Sequence, residues 1–175
     1  NNMNQEILQS DLQPEAGIAG TYISTAKDEN GVLTAIKFQN DEHFNFAYDV
    51  VDVLGKTKPD KLAMLHVDAE EKERRITFKD MMIYSNKAAN YFRFLGIKRG
   101  DRVMLVLKRH YQFWFAILAL HKIGAIAVPA TNLLVRKDFE YRFKAGQIDA
   151  VLCTSAGKVA TEVERASKTY DGLKA

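Results

Sequence analysis

Cysteine is almost missing from this chain. Cys153 is the only one in 175 residues, so no internal disulfide can form and stability has to come from a buried core. Small secreted domains usually depend on disulfides, so one cysteine favours a reducing compartment, with the cytoplasm as the default expectation. Long apolar runs are missing too. The longest, Phe113 to Leu120, stops at His121-Lys122, well short of the ~18 residues of a membrane span. Asn1 to Glu6 shows no basic stretch followed by an apolar one, so no signal peptide is expected there. Charge of one sign is not dominant: 25 basic against 22 acidic residues gives +3. The two signs are interleaved, as in Lys72-Glu73-Arg74 and Lys137-Asp138, which argues against a nucleic-acid partner. The four histidines, His43, His66, His110 and His121, lack metal-ligand spacing, so no metal site is expected. There is no glycine-rich phosphate loop followed by Lys-Ser or Lys-Thr, and no local Ser-His-Asp motif.

What is present is ample core material. Hydrophobic residues make up 47% of the chain, with 10 Phe and 7 Tyr and only 3 Pro, a composition that folds. Residues 1–40 lack strong periodicity and read as an extension packed on the body, with a turn at Lys27-Asp28-Glu29-Asn30-Gly31. From Phe44 the pattern sharpens. Phe46, Val50, Val53 and Leu54 recur at helical spacing, with Gly55 as the expected stop. Leu62 to Val67 reads as a strand, Asp68 to Arg75 as a turn, and Ile76 to Phe78 as the return of a short antiparallel hairpin. Thr77 can cap a helix that ends at Gly96, and Asp80 three residues on brings it close to a capping-box arrangement.

Strands and helices then alternate. Val103 to Leu107, Ala125 to Val128 and Ala150 to Cys153 are apolar throughout, as parallel strands covered on both faces are. Helices are expected over His110 to Ile123, Arg136 to Ala145 with Gly146 as stop, and Thr161 to Tyr170. Such spacing requires crossover helices and parallel pairing. The fold class is therefore α/β: a doubly wound, mostly parallel sheet with flanking helices and a small antiparallel hairpin. The chain stops at Gly172-Leu173-Lys174-Ala175, where another strand is due, which reads as truncation.

Ligands of open α/β sheets sit beyond the carboxyl ends of the strands. Here those ends are Lys108-Arg109-His110, Pro129-Ala130-Thr131-Asn132 and Thr154-Ser155-Ala156-Gly157-Lys158, whose hydroxyls, amides and cations suit phosphate. Cys153 closes a strand and reads as a small core residue. Phe113-Trp114-Phe115 reads as helix packing and not as a base-stacking platform.

Four stretches carry a resemblance. They are Glu42 to Asp52, Arg75-Ile76-Thr77-Phe78-Lys79-Asp80-Met81, Gly96 to Val103, and Leu120 to Thr131 with the acidic-aromatic helix Asp138 to Phe143 behind it. In this order and spacing, residues 41–175 resemble the N-terminal α/β part of the adenylate-forming acyl-CoA synthetases, most closely the medium-chain branch. The resemblance implies an incomplete portion of the acyl-adenylating fold, cut before the ATP phosphate loop.

By that resemblance the whole enzyme activates a carboxylic acid with MgATP to an acyl-adenylate and passes the acyl group to coenzyme A. The family's Ser/Thr/Gly-rich loop ending in Lys, its later acidic residue, its ribose-binding Asp and its C-terminal lid Lys are not in this sequence. The chain alone is thus expected to be inactive, with no tightly bound cofactor. Thr154 to Lys158 lacks the glycine repeats of that loop and falls too early to be it. In related short-chain enzymes this region and the loop after Pro129 lie near the coenzyme A nucleotide, which makes Thr131, Asn132 and Lys158 the candidate contacts. No catalytic residue is assigned. The competing reading is a self-contained α/β module that binds a nucleotide or a protein. A bare sheet edge also leads us to expect self-association.

Overall fold

The computed structural model describes residues 11–175, and the chain divides into two compact units at the Phe44–Asn45 junction. In the first unit, β1 (Gln13–Pro14), β2 (Ile23–Lys27) and β3 (Leu33–Phe38) form an antiparallel sheet in that order. The Asp28 side chain accepts the amides of Asn30 and Val32, which closes the turn between β2 and β3 where the sequence places one.

The second unit opens with a wide π-helical stretch, Ala47–Asp52, that continues as α1 (Val53–Thr57). Gly55 does not end this helix. It is buried within it, where an added Cβ would lie 3.0 Å from Met82 Cβ and 3.0 Å from the Phe78 carbonyl oxygen. Its role is to let the helix approach α2 closely, a packing demand that looks like a stop signal in sequence. β4 (Leu62–Val67) and β5 (Glu73–Thr77) form the expected hairpin, with β5 starting three residues earlier than the apolar pattern suggests. α2 (Phe78–Phe94) begins with the complete Thr77–Asp80 capping box. It is followed by Gly96, whose φ of 84° is cheap only for glycine.

The parallel sheet has the order β7-β6-β8, built from β6 (Arg102–Val106), β7 (Ile126–Pro129) and β8 (Ala150–Cys153). α3 (Gln112–Ile123), α4 (Arg136–Gly146) and α5 (Val159–Ser167) complete the unit. Side chains alternate across β6. Val103 and Leu105 join the cluster of Ala89, Phe92, Ala116, Ala119 and Leu120 from α2 and α3. Met104 and Val106 join Phe139, Phe143, Val159 and Ala166 from α4 and α5. Removing either fully buried phenylalanine would cost about 3–5 kcal/mol.

Two-sided cover holds for β6 alone. Ile126 of β7 is 47% exposed and most of β8 is half-buried, because the outer strands lie beyond the reach of the four helices. The β8 edge is not wholly bare: Asp149 and Val151 exchange backbone hydrogen bonds with Lys174 and Ala175. α4 also runs one residue further than its glycine suggests. Gln147, not Gly146, takes the left-handed conformation, at φ 48°. Arg102 Nη1 donates to the Gly146 carbonyl at 3.1 Å and to Gln147 Oε1 at 3.0 Å, which holds that strained residue in place.

Candidate functional site at the carboxyl edge

The connection after β6 leads into α3 on one face of the sheet, while those after β7 and β8 lead into α4 and α5 on the other. Neighbouring strands whose connections part in this way leave a crevice at their carboxyl ends. Two clefts open there. The first, of about 720 Å³, has a floor of Leu105, Leu107, Pro129 and Ala130 and carries Lys108, His110, Trp114 and Thr131 around it. The second, of about 440 Å³, lies among Asn132, Leu134, Thr154, Gly157, Lys158 and Glu162. Lys108 borders both.

Each of the three expected contact residues thus lies at this edge, but they do not share one cleft. Thr131 borders the first, Asn132 and Lys158 the second. Thr131 Oγ1 accepts the Leu133 amide at 3.3 Å, which shapes the turn after β7. Lys158 is exposed and immediately precedes the first residue of α5. It lines the second cleft at the start of that helix, where the positive end of the helix dipole favours an anion. Among the described residues neither Lys108 nor Lys158 is in an ion pair. Glu162 in the same cleft is already engaged, accepting the Arg136 amide at 2.7 Å and Arg165 Nη1 at 3.3 Å.

Two features of the site were not read from the sequence. His110 Nε2 lies 2.8 Å from Thr154 Oγ1, bridging the loops after β6 and β8. Thr154 is buried, and its oxygen also accepts the Ala156 amide at 3.1 Å. The second feature is the hairpin wall. His66 donates from Nε2 to the Arg109 carbonyl at 3.2 Å. Tyr111 packs edge-on against His66, and the Arg74 guanidinium stacks 4.7 Å above the Tyr111 ring. No local pattern signals this, since the hairpin reaches the cleft through tertiary packing.

Cys153 is half-buried beside the α4–α5 cluster, and burial pushes its thiol pKa up. A group held as thiol is a poor nucleophile. Among the described residues no three His, Cys, Asp or Glu side chains converge to hold a metal ion. No helix there is long and apolar enough to cross a membrane.

Residues 52–174 match the family described as AMP-binding enzyme. The chain belongs to that family. It is 37% identical over 121 residues to acyl-coenzyme A synthetase ACSM5, mitochondrial, of Rattus norvegicus, covering 66% of this chain and 21% of that protein. The chain therefore spans about a fifth of the length of this curated relative. Solved structures share the fold. The Mycobacterium tuberculosis fatty acyl CoA synthetase matches with TM-score 0.64 at 20% identity, over 77% of this chain and 26% of that one. The benzoate CoA ligase of Burkholderia xenovorans LB400 matches with TM-score 0.61 at 21% identity, over 74% and 25%.

Proposed function

We propose that this chain supplies the N-terminal α/β body of an AMP-forming acid–thiol ligase. That enzyme activates a carboxylic acid with MgATP and transfers the acyl group to coenzyme A. The observation that carries the reading is the family match across nearly the whole second unit, and the relative named above is an acyl-coenzyme A synthetase. The residues present suit one part of the task. Lys108, Lys158 and the amides at the start of α5 offer cations and donors to a phosphate-bearing nucleotide, while Thr131 and Asn132 offer polar groups on either side of the β7 turn. We assign them to the coenzyme A nucleotide and assign no chemical step to this chain's own side chains. The single cysteine suits a reducing compartment such as the cytoplasm, while the relative named above is mitochondrial.

The test uses a protein in which this chain is joined to the rest of the enzyme. Carboxylate-dependent pyrophosphate exchange with ATP, followed by acyl transfer to coenzyme A, is the expected activity. Lys158→Ala there should raise KM for coenzyme A at least tenfold, the equivalent of about 1.5–3 kcal/mol for a lost charge-assisted contact, with KM for ATP unchanged. Equal KM values would remove Lys158 from the site. Coenzyme A binding without acid-dependent exchange would support the binding-module reading instead.

A further inference from the structure

The near-neutral balance of the whole chain conceals a strongly cationic segment that contains α2, although two of its cations are engaged away from the helix, Arg74 over the Tyr111 ring and Arg102 on Gly146 and Gln147. Between Arg74 and Arg102 the sequence carries eight Lys and Arg and two acids, a net +6 against +3 for all 175 residues. Both acids are spent internally. The Asp80 carboxylate accepts the Thr77 amide and hydroxyl, and Asp101 accepts the Lys98 amide and the Lys174 ammonium.

One face of α2 is buried through Met81, Ser85, Ala89 and Phe92. The opposite face carries Tyr84, Lys87, Tyr91 and Phe94, spaced by three, four and three residues, so they form a single stripe of about 15 Å at the helical rise. Phe94 is 84% exposed and Tyr91 58%. Their rings stack with centroids 6.5 Å apart, and the Lys87 ammonium sits 5.4 Å from the Tyr84 ring. Tyr84 leans on Phe115 of α3 with ring centroids 5.1 Å apart, whereas Tyr91 and Phe94 border none of the carboxyl-edge clefts.

We propose that this stripe seats the protein on an anionic lipid surface. A convex helix face fits a plane. Aromatic rings favour the boundary between acyl chains and headgroups, while Lys87 within the stripe reaches headgroup phosphates. A single-stranded nucleic acid would require a basic groove alongside the rings, which an outward-facing helix does not form. This surface is separate from the carboxyl-edge site, and the proposal stands without the ligase reading.

The experiment is flotation of the chain with vesicles of phosphatidylcholine alone and of phosphatidylcholine mixed with phosphatidylglycerol, at low and high salt. Binding is expected only to the mixed vesicles, with release by salt. Tyr91→Ser/Phe94→Ser should abolish most of the binding. Lys87→Glu should weaken it at least about fivefold, from the attraction each cation contributes near an anionic surface. Tyr141→Ser, which removes an exposed aromatic on α4, should change nothing. Unaltered thermal melting verifies that the variants fold. Absence of binding, equal binding to neutral vesicles, equal loss with Tyr141→Ser, or displacement from vesicles by a short RNA duplex would each overturn the proposal.

Discussion

Lys122 Nζ lies 2.7 Å from Asp52 Oδ1, and only 1% of the lysine side chain is exposed. The same ammonium donates to Ser85 Oγ at 2.9 Å and to Asn86 Oδ1 at 2.8 Å, so all three of its protons are used. The network joins α3, α2 and the π-helical stretch at their common contact. A buried ion pair contributes little net stability, but it makes the loss of one partner costly.

Lys122→Met is therefore expected to destabilise the second unit by about 3–5 kcal/mol, since Asp52 would stay charged and unpaired. Lys122→Met combined with Asp52→Leu should recover a large part of the loss. Urea melts of the three proteins check this. A double variant no better than the single one would show that the network's worth lies in its geometry and not in the stranded charge.

Much of this architecture was legible in local signals, because caps and stops act through the backbone of a few residues. The Thr77–Asp80 box and the stop at Gly96 are of this kind, as is Gly124, where φ is 72°. Gly55 and Gly146 misled because glycine also serves close packing, and a side chain anchored by Arg102 let Gln147 take the position expected of Gly146. At the site, the three strand ends could be read from the alternation of strands and helices. The His110–Thr154 bridge spans 44 residues, and His66 arrives from the hairpin. Neither leaves a periodic trace. The cationic bias between Arg74 and Arg102 is present in the sequence, and the structure adds that Asp80 and Asp101 are engaged internally.

Asp101 should make stability depend on acid. Burial acts to raise its pKa, but the Lys174 ammonium and the Lys98 amide outweigh it and hold the carboxyl below its ordinary value. The unfolded chain then takes up a proton before the folded one, so this stabilisation is complete above the ordinary value near 3.8 and is lost as pH falls through the lower folded value. With Lys174 partly exposed, Asp101→Asn should cost about 1 kcal/mol at neutral pH. The cost should shrink in strong acid. An equal cost at both pH values, measured by denaturant titration, would remove the carboxylate charge as its source.

Cys153 should react slowly. Its raised pKa leaves little thiolate at neutral pH, and its half-buried place on β8 limits access. Iodoacetamide labelling at neutral pH should run well below the rate for a free cysteine peptide and match it only in denaturant. Labelling as fast as the peptide in the folded chain would contradict the burial seen here.

The β7 edge is where self-association of the isolated chain is expected to be decided. The amides of Ile126 and Ala130 donate inward to β6, so by the strand's alternation the outward positions are 127 and 129. Position 129 is proline, which has no amide to donate, and the outer edge of this four-residue strand presents one donor, at Ala127. Edge prolines of this kind discourage strand addition. We expect the chain to show weak, concentration-dependent association, driven by the exposed Ile126 and restrained by Pro129. Pro129→Val restores a donor and a strand-forming side chain. One added backbone hydrogen bond is worth about 1 kcal/mol, so the dimer dissociation constant should fall roughly fivefold. Light scattering coupled to size exclusion over a dilution series measures it for both proteins. An unchanged constant would place the contact elsewhere, and a tighter parent than variant would mean that Pro129 takes part in the contact itself.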